Sequence, residues 1–296
     1  MRAAAAAAAG HQRHPGATLY LVATPIGNRA DITLRALHVL ERADTVACED
    51  TRVTAQLLQH YGLHKPLLAV HAHNENEGAA RVCERLAAGE AVAFVSDAGT
   101  PGVSDPGARL VAAAVAAGHA VVPIPGPSSA LAAFSVTGDV RAQGFVFRGF
   151  LPAKGAERDT ALQAVAADAS AQVLFESPHR IEALLASLSA LLPQRPLTLA
   201  RELTKQFETV ATMAAQQGPA WLAADANRAR GEFVLVVHAQ PRAEGEATLE
   251  PAAEHCLAVL QRELPLKQAV ALAAEISGAP RNALYQRALQ RRDEGC

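Results

Sequence analysis

The sequence predicts an α/β protein with a mostly parallel sheet, then a mixed sheet, and a small helical segment at the C-terminus. Three observations carry this. From Thr18 onward, short apolar runs alternate with amphipathic stretches of about ten residues, the pattern of right-handed crossovers between parallel strands. After Pro127 the strand-like runs are broken by prolines and by the polar "RELTKQFETV", which suits a mixed sheet better than a purely parallel one. Around "AQPRAEGEATLEP" the composition turns polar and rich in Pro and Gly, and helical patterns follow.

The chain has 296 residues, half of them hydrophobic, enough for two domains with a sizeable core. A net charge of −2 leaves any nucleic-acid binding to local basic patches. Four cysteines, Cys48, Cys83, Cys256 and Cys296, form no C-x-x-C pair, which argues against a zinc ribbon or a disulfide framework and for a reducing cytoplasm. No stretch reaches about 18 uninterrupted apolar residues, so no membrane span is expected. The opening "MRAAAAAAAGHQRHPGA" is too weakly apolar for a signal peptide and reads as a disordered tail over residues 1–17.

Residues 18–127 form the first α/β domain. "TLYLVA" reads as a buried strand, and "DITLRALHVLERA" as a helix capped by Asp31 with Leu34, Leu37 and Leu40 on one face. "TVAC" is a strand, followed by a helix through Val53, Leu57, Leu58 and Tyr61 that ends at Gly62. "LLAV" is a short strand; a helix runs from Asn74 to Gly89. "AVAFV" is a strand, "GARLVAAAVAAG" a helix, and "AVVPIPG" the last strand. Residues 128–240 form the second domain: a helix starts at Pro127 and Ser128, strands follow at "GFVFRGF", "AQVLFES", "PLTLARE" and "GEFVLVVHA", and helices at about Gly155–Ala167 and Pro178–Ala190. Residues 241–250 read as a linker, and 251–296 as a helix-turn-helix-like segment with its turn at Gly278 to Pro280.

In a parallel sheet, ligands bind where loops leave the carboxyl ends of the strands. Three such loops stand out: "TPIGN" (24–28), "SDAGTPGVSDPG" (96–107) and "PIPGPSS" (123–129). Glycine permits close backbone approach and proline stiffens the remainder. The dinucleotide G-x-G-x-x-G is missing from the first loop, and Gly102 to Gly107 is followed by Ala108 and Arg109 rather than Lys and Ser/Thr, so neither NAD nor ATP is supported. Asp97 and Asp105, with no cation before Arg109, suit a positively charged ligand; alternatively both are only turn formers. "HAHNENE" lacks a third ligand at metal spacing, and Asn74 makes a helix cap, so no metal is expected. "CEDTR" sets Glu49 and Asp50 at a strand end with capping by Asp50 or Thr51, and "RELTKQFE" is either a salt-bridged surface segment or a source of a general base or phosphate clamp.

Nine segments in register, "LYLVATPIGNRADITLRAL", "CEDTR", "HNE", "SDAGTPGVSDPG", "PIPGPSSALAAF", "FRGFLPAKG", "FESPHR", "ARELTK" and "GEFVLVV", resemble the 16S rRNA cytidine 2′-O-ribose methyltransferases of the tetrapyrrole methylase superfamily. The match runs from about Thr18 to Ala239; the C-terminal helices are similar to the helix-turn-helix of many members, and the alanine-rich start has no counterpart. The resemblance implies a two-domain tetrapyrrole-methylase-like fold, S-adenosylmethionine in the cleft between the domains, a homodimer, and 16S rRNA or the small ribosomal subunit as partner, with no DNA. It implies cofactor contacts at Pro25, Gly27, Ser96, Asp97, Gly99, Gly102, Ser104 and Ser128. Glu202 and Lys205 are the candidates for a base, and Arg29, Arg52, Lys154, Arg180 and Arg201 for phosphate contacts. The competing expectations are a methyltransferase of the same fold acting on a tetrapyrrole or a modified histidine, and a non-enzymatic nucleic-acid-binding regulator led by the C-terminal helices.

Overall fold

The computed structural model describes residues 1–104, 107–241, 249 and 251–294. Asp105 and most of the expected linker lie outside them. The chain divides into a unit Met1–Ala239 and a unit Gln240–Cys296.

The first unit opens with helix α1 (Arg2–Ala9), where a disordered tail was expected. Alanine is the strongest helix former, and its small side chain lets Ala5 and Ala9 bury completely or nearly so. Arg2 Nε donates to Glu41 Oε1 at 2.8 Å, on helix α2 (Leu34–Arg42). Strands β1 (Thr18–Val22), β2 (Thr45–Cys48), β3 (Leu67–Ala69), β4 (Val92–Val95) and β5 (Ala120–Ile124) form an all-parallel sheet in the order β3-β2-β4-β1-β5. Helices α3 (Thr51–His60), α4 (Glu75–Ala87) and α5 (Ala108–Ala116) provide the further crossovers. The central strands are buried on both faces because both faces are covered, which is why they read as unbroken apolar runs. Tyr20, Val22, Val46 and Cys48 pack toward α2 and α3, and Leu19, Ala47, Val92 and Phe94 pack with residues of α4 and α5. Pro123 is tolerated in β5 because β5 is an edge strand. Helix α2 is capped by Thr33, whose Oγ1 accepts from Ala36 N–H at 3.1 Å; Asp31, the expected cap, instead sits in a single 3₁₀ turn, Arg29–Asp31.

Helix α6 (Ser129–Ser135) leads into the mixed sheet of β6 (Phe145–Phe150), β7 (Ala171–Glu176), β8 (Pro196–Arg201), β9 (Thr209–Ala214) and β10 (Phe233–Val237), ordered β6-β7-β10-β8-β9. Only β6 and β7 are parallel. Helices α7 (Gly155–Ala167), α8 (Ile181–Leu191) and α9 (Gly218–Ala223) cover one face through Leu162, Leu184, Leu188 and Leu222 against Leu174, Leu197, Leu199 and Leu235. On the other face, Ala130 and Ala133 of α6 meet Val173, Ala200, Val234 and Val236. Strand β9 was not legible: its register with β8, from Pro196↔Ala214 to Arg201↔Thr209, is fixed by a hairpin whose turn is polar, and as an edge strand it is only half-buried.

Among its described residues the second unit holds three helices, α10 (Pro251–Glu263), α11 (Leu266–Ser277) and α12 (Arg281–Glu294), one more than the pattern predicted. Leu257, Val270, Ala273, Leu284 and Ala288 form its core. The turn between α11 and α12 falls at Gly278, in the left-handed conformation, as expected.

Candidate active site

The three loops singled out in the sequence leave β1, β4 and β5, which are neighbours in the sheet, and they are bonded to one another. Thr24 and Gly99 exchange backbone hydrogen bonds, Thr24 N–H to Gly99 O at 2.8 Å and Gly99 N–H to Thr24 O at 3.1 Å. Thr24 Oγ1 donates to Ser96 O at 3.3 Å, and Thr100 Oγ1 donates to Pro127 O at 3.0 Å. Ser96 is buried and its Oγ donates to Ala98 O, so it shapes the turn from inside. Gly99 has φ +80°, a conformation that costs a side-chain-bearing residue strain.

Two carboxylates anchor the long loop. Asp97 Oδ1 accepts from Asp50 N–H at 3.1 Å, tying the loop to the start of α3. Asp50 itself caps that helix, and its bonds to Arg52 hold its carboxyl down at about 2. At the other end, Glu75 Oε1 accepts from Gly107 N–H at 2.9 Å and Arg109 N–H at 3.3 Å. Gly107 is the N-cap of α5 and has no side chain to cap with, so Glu75 supplies the missing acceptor from α4. A Cβ at Gly107 would stand 2.6 Å from Phe94 Cε1. Glu75 lies in "HNE", but its capping role is invisible in the sequence because its partners are more than thirty residues away.

Facing these loops is the mixed sheet, and between them lies a cavity of about 370 Å³. Ile26, Gly99, Thr100, Ser104, Ser128 and Ser129 line it from the parallel-sheet side, and Phe150, Phe175, Ala200, Leu203, Phe233 and Val234 from the other. Glu176 and Glu232 also line it, and among the described residues no lysine or arginine does.

The turn between β8 and β9 closes across the cleft. Lys205 Nζ donates to Glu202 Oε1 and Glu232 Oε2, both at 2.8 Å, and Glu202 Oε1 also accepts from Glu232 N–H. Thr204 Oγ1 accepts from Asn28 N–H at 3.1 Å. Glu202 and Thr204 have φ of 51° and 68°, unusual for residues with side chains, and the clasp overdetermines them. A Cβ on Gly27 would lie 2.6 Å from Lys205 Cγ; the glycine is needed so that the lysine stem can cross. Burial disfavours charge on both partners, but the bonds outweigh it: Glu202 is held below the usual carboxylate range by Lys205 and the Glu232 amide, and Lys205 is held above the usual amine range by Glu202 and Glu232. In this geometry the pair expected to supply a base forms an ionic clasp.

Of the expected cofactor contacts, Gly99, Ser104 and Ser128 line the cavity. Pro25 and Ser96 are buried in the loop framework, Gly27 carries Lys205, Asp97 braces α3, and Gly102 is exposed. The expected phosphate contacts divide in the same way. Arg29 is exposed with Nη1 3.2 Å from His60 Nδ1, Arg52 is 86% exposed beside Asp50, and Lys154 is exposed. Arg180 Nη2 donates to Leu151 O at 2.6 Å while its side chain stays partly exposed, and buried Arg201 donates to Arg230 O and Phe207 O, so both brace backbone. The missed residues are the apolar wall of the second sheet, which looked like ordinary strand core. Among the described residues no group of three or more metal-binding side chains occurs. In the second unit Arg287 Nε donates to Glu254 at 2.8 Å and Arg291 approaches it at 4.0 Å, while Arg281 is exposed.

Residues 18–218 match the model of the tetrapyrrole (corrin/porphyrin) methylases. The chain belongs to that family. Residues 247–292 match the RsmI C-terminal HTH domain. Among curated methylase relatives, the ribosomal RNA small subunit methyltransferase I of Pseudomonas aeruginosa is 48% identical over 275 residues, covering 93% of this chain and 97% of that protein. The protein of the same name from Escherichia coli O157:H7 is 46% identical over 273 residues, covering 92% and 94%. Among solved structures, diphthine synthase aligns with a TM-score of 0.59 at 19% identity, over 75% of this chain and 90% of that one. Uroporphyrin-III C-methyl transferase from Thermus thermophilus, complexed with S-adenyl homocysteine, aligns with a TM-score of 0.53 at 20% identity, over 74% and 97%. These structures share the methylase fold with this chain. Among the described residues no helix is long and apolar enough to cross a membrane.

Proposed function

We propose that this protein transfers a methyl group from S-adenosylmethionine to the ribose 2′-hydroxyl of a cytidine in 16S rRNA of the small ribosomal subunit. The carrying observation is the three-loop cavity of a methylase-family chain, with no lysine or arginine on its lining among the described residues. Its volume of about 370 Å³ lies within the range of small-molecule sites, roughly 300–1,000 Å³. Such a lining fits a cationic sulfonium and ammonium and disfavours a polyphosphate. The names of the curated relatives support rRNA over a tetrapyrrole or a modified histidine as acceptor.

When bound, S-adenosylmethionine supplies an electrophilic methyl group. Gly99, Ser104 and Ser128, with Ile26, Thr100 and Ser129, hold it from one side, where the Thr24–Gly99 and Thr100–Pro127 bonds keep the loops preformed. Phe175, Leu203, Phe233 and Val234 exclude water from the other. The Glu202–Lys205–Glu232 clasp shapes the turn between β8 and β9, which Thr204 joins to the first loop by accepting from Asn28 N–H. Holding donor and acceptor together can contribute about 7–11 kcal/mol. Arg29, Arg52 and Lys154 contact RNA phosphates. The protein acts in the cytoplasm as a homodimer, in keeping with the resemblance.

The test is primer extension at low nucleotide concentration on 16S rRNA from cells with and without this protein. One ribose-methylation stop should vanish in its absence and return with the intact gene. An unchanged pattern of stops would exclude the reading.

A further inference from the structure

Phe150 is 56% exposed, whereas nine of the twelve Phe, Tyr and Trp residues are buried or half-buried. A lone exposed apolar side chain on an open surface means little. This one stands on the wall of the methylase cavity, and its placement is built. Strand β6 shifts register against β7 between Phe147 and Gly149. Gly149 has φ +60°, and a Cβ there would stand 2.9 Å from Ser104 Oγ, so the bulge brings Phe150 up against the long cofactor loop. Phe175 meets the ring edge-on, with centroids 5.6 Å apart at 71°, leaving Phe150 backed on one side and open on the other.

The segment after Phe150 is braced from within. The Glu176 side chain is fully buried; its Oε1 lies 3.1 Å from Arg180 Nε and its Oε2 lies 3.8 Å from Arg158 Nη1. Arg180 donates to the carbonyls of Leu151 and Pro152, and Arg158 donates to that of Pro152 at 3.1 Å. A buried charge network of this kind is expensive unless it fixes something. What it fixes is the backbone between an exposed aromatic ring and Lys154, which is exposed and makes no ion pair among the described residues.

An open aromatic face at the edge of a methyl-donor cavity, with an exposed cation four residues on, is the chemistry that recognises a nucleotide: the base stacks and the phosphate pairs. We infer that Phe150 is the stacking platform for the nucleobase of the acceptor nucleotide, with Lys154 on an adjacent phosphate. The inference rests on the proposed RNA reading. An unstacked pyrimidine has to enter from solvent, and Phe150 is the ring of the cavity wall that faces solvent.

The experiment compares the full-length protein with Phe150→Leu, which keeps apolar bulk but loses the π face, and Phe150→Tyr, which keeps the face. Two quantities are measured: S-adenosylmethionine Kd by calorimetry, and kcat/KM for methyl transfer to small ribosomal subunits from cells lacking this protein. Melting curves verify that both variants fold. Phe150→Leu should lower kcat/KM about 5- to 150-fold, the range for loss of one base stack, with cofactor Kd changed less than about twofold, and Phe150→Tyr should retain most activity. A Kd that rises in step with the loss of kcat/KM would assign the ring to the cofactor and overturn the inference. So would a Phe150→Leu protein as active as the parent. If the unaltered protein transferred no methyl group to the subunits, the RNA reading itself would fall and the platform with it.

Discussion

Glu75 offers the most direct measurement of how the long loop is held. Glu75→Ala removes the acceptor for Gly107 N–H, which is buried at the start of α5, and for the longer Arg109 bond. Leaving a buried donor unsatisfied costs about 1–3 kcal/mol, and losing a helix cap about 0.5–2 kcal/mol; these describe the same bond and count once. The ion pair of Glu75 with Arg109, at 3.6 Å and with the arginine side chain 67% exposed, adds little. The expected loss is therefore about 1–3 kcal/mol, which lowers the melting temperature of a unit this size by roughly 2–10 °C. Calorimetric melting of the full chain reads this directly. Because the freed segment is the end of the loop bearing Gly99 and Ser104, S-adenosylmethionine affinity should fall as well. Glu75→Gln keeps an acceptor oxygen and should recover most of both losses. A Glu75→Ala protein that melts within about 1 °C of the parent and binds the cofactor equally well, or a Gln variant as impaired as Ala, would refute the trans-capping role.

Other consequences follow from the same geometry. Gly27→Ala forces a Cβ against Lys205 Cγ at 2.6 Å; overpacking of this kind costs about 1–3 kcal/mol, and the double variant Gly27→Ala/Lys205→Ala should melt higher than additivity of the two single changes predicts. Lys205→Met should weaken the clasp and lower the melting temperature while leaving the shape of the pH–rate profile intact; disappearance of one limb would restore a proton-transfer role to the pair. Clasp stability is greatest while Glu202 is ionised: its folded pKa lies below the ordinary value, so the contribution is present above the ordinary carboxylate pKa and lost as pH falls through the lowered one. Lys154→Gln should reduce the dependence of RNA affinity on salt by about 0.7 in the log–log slope if one single-strand phosphate contact is lost, with cofactor binding unchanged. His14 packs against His38 with ring centroids 5.1 Å apart; burial lowers its pKa, and His38, Arg35 and Arg42 lower it further. The unfolded chain therefore takes up the proton first as pH drops below about 6.5, and amide protection in Arg2–Ala9, corrected for intrinsic exchange, should decline there in the parent but not in His14→Gln.

Much of the framework was legible because it is local. The five parallel strands announced themselves as apolar runs, and in the central ones burial on both faces leaves no room for polar alternation. Helix ends were marked by Gly62, Gly89 and Gly278. The errors have equally physical sources. Asp31 and Thr33 both suit a cap, and only the path of the backbone chooses Thr33. The alanine-rich start has high helix propensity but needs the surface of α2 to bury Ala5 and Ala9. Strand β9 follows a polar turn and lies on an edge, so neither periodicity nor burial reveals it.

The sequence by itself determined the fold class, the family and the three loops that meet around the cavity, because each is encoded in contiguous residues whose backbone needs are visible in their glycines and prolines. Tertiary structure alone decided what individual charged groups do. Glu75 becomes a helix cap only when α4 lies beside α5; Lys205 becomes a cation between two carboxylates only when Glu232 arrives from the turn before β10; Arg180 and Arg201 turn inward because carbonyl groups await them there. A charge's role depends on distances to groups remote in sequence, and electrostatic and hydrogen-bond energies change steeply over those few ångströms.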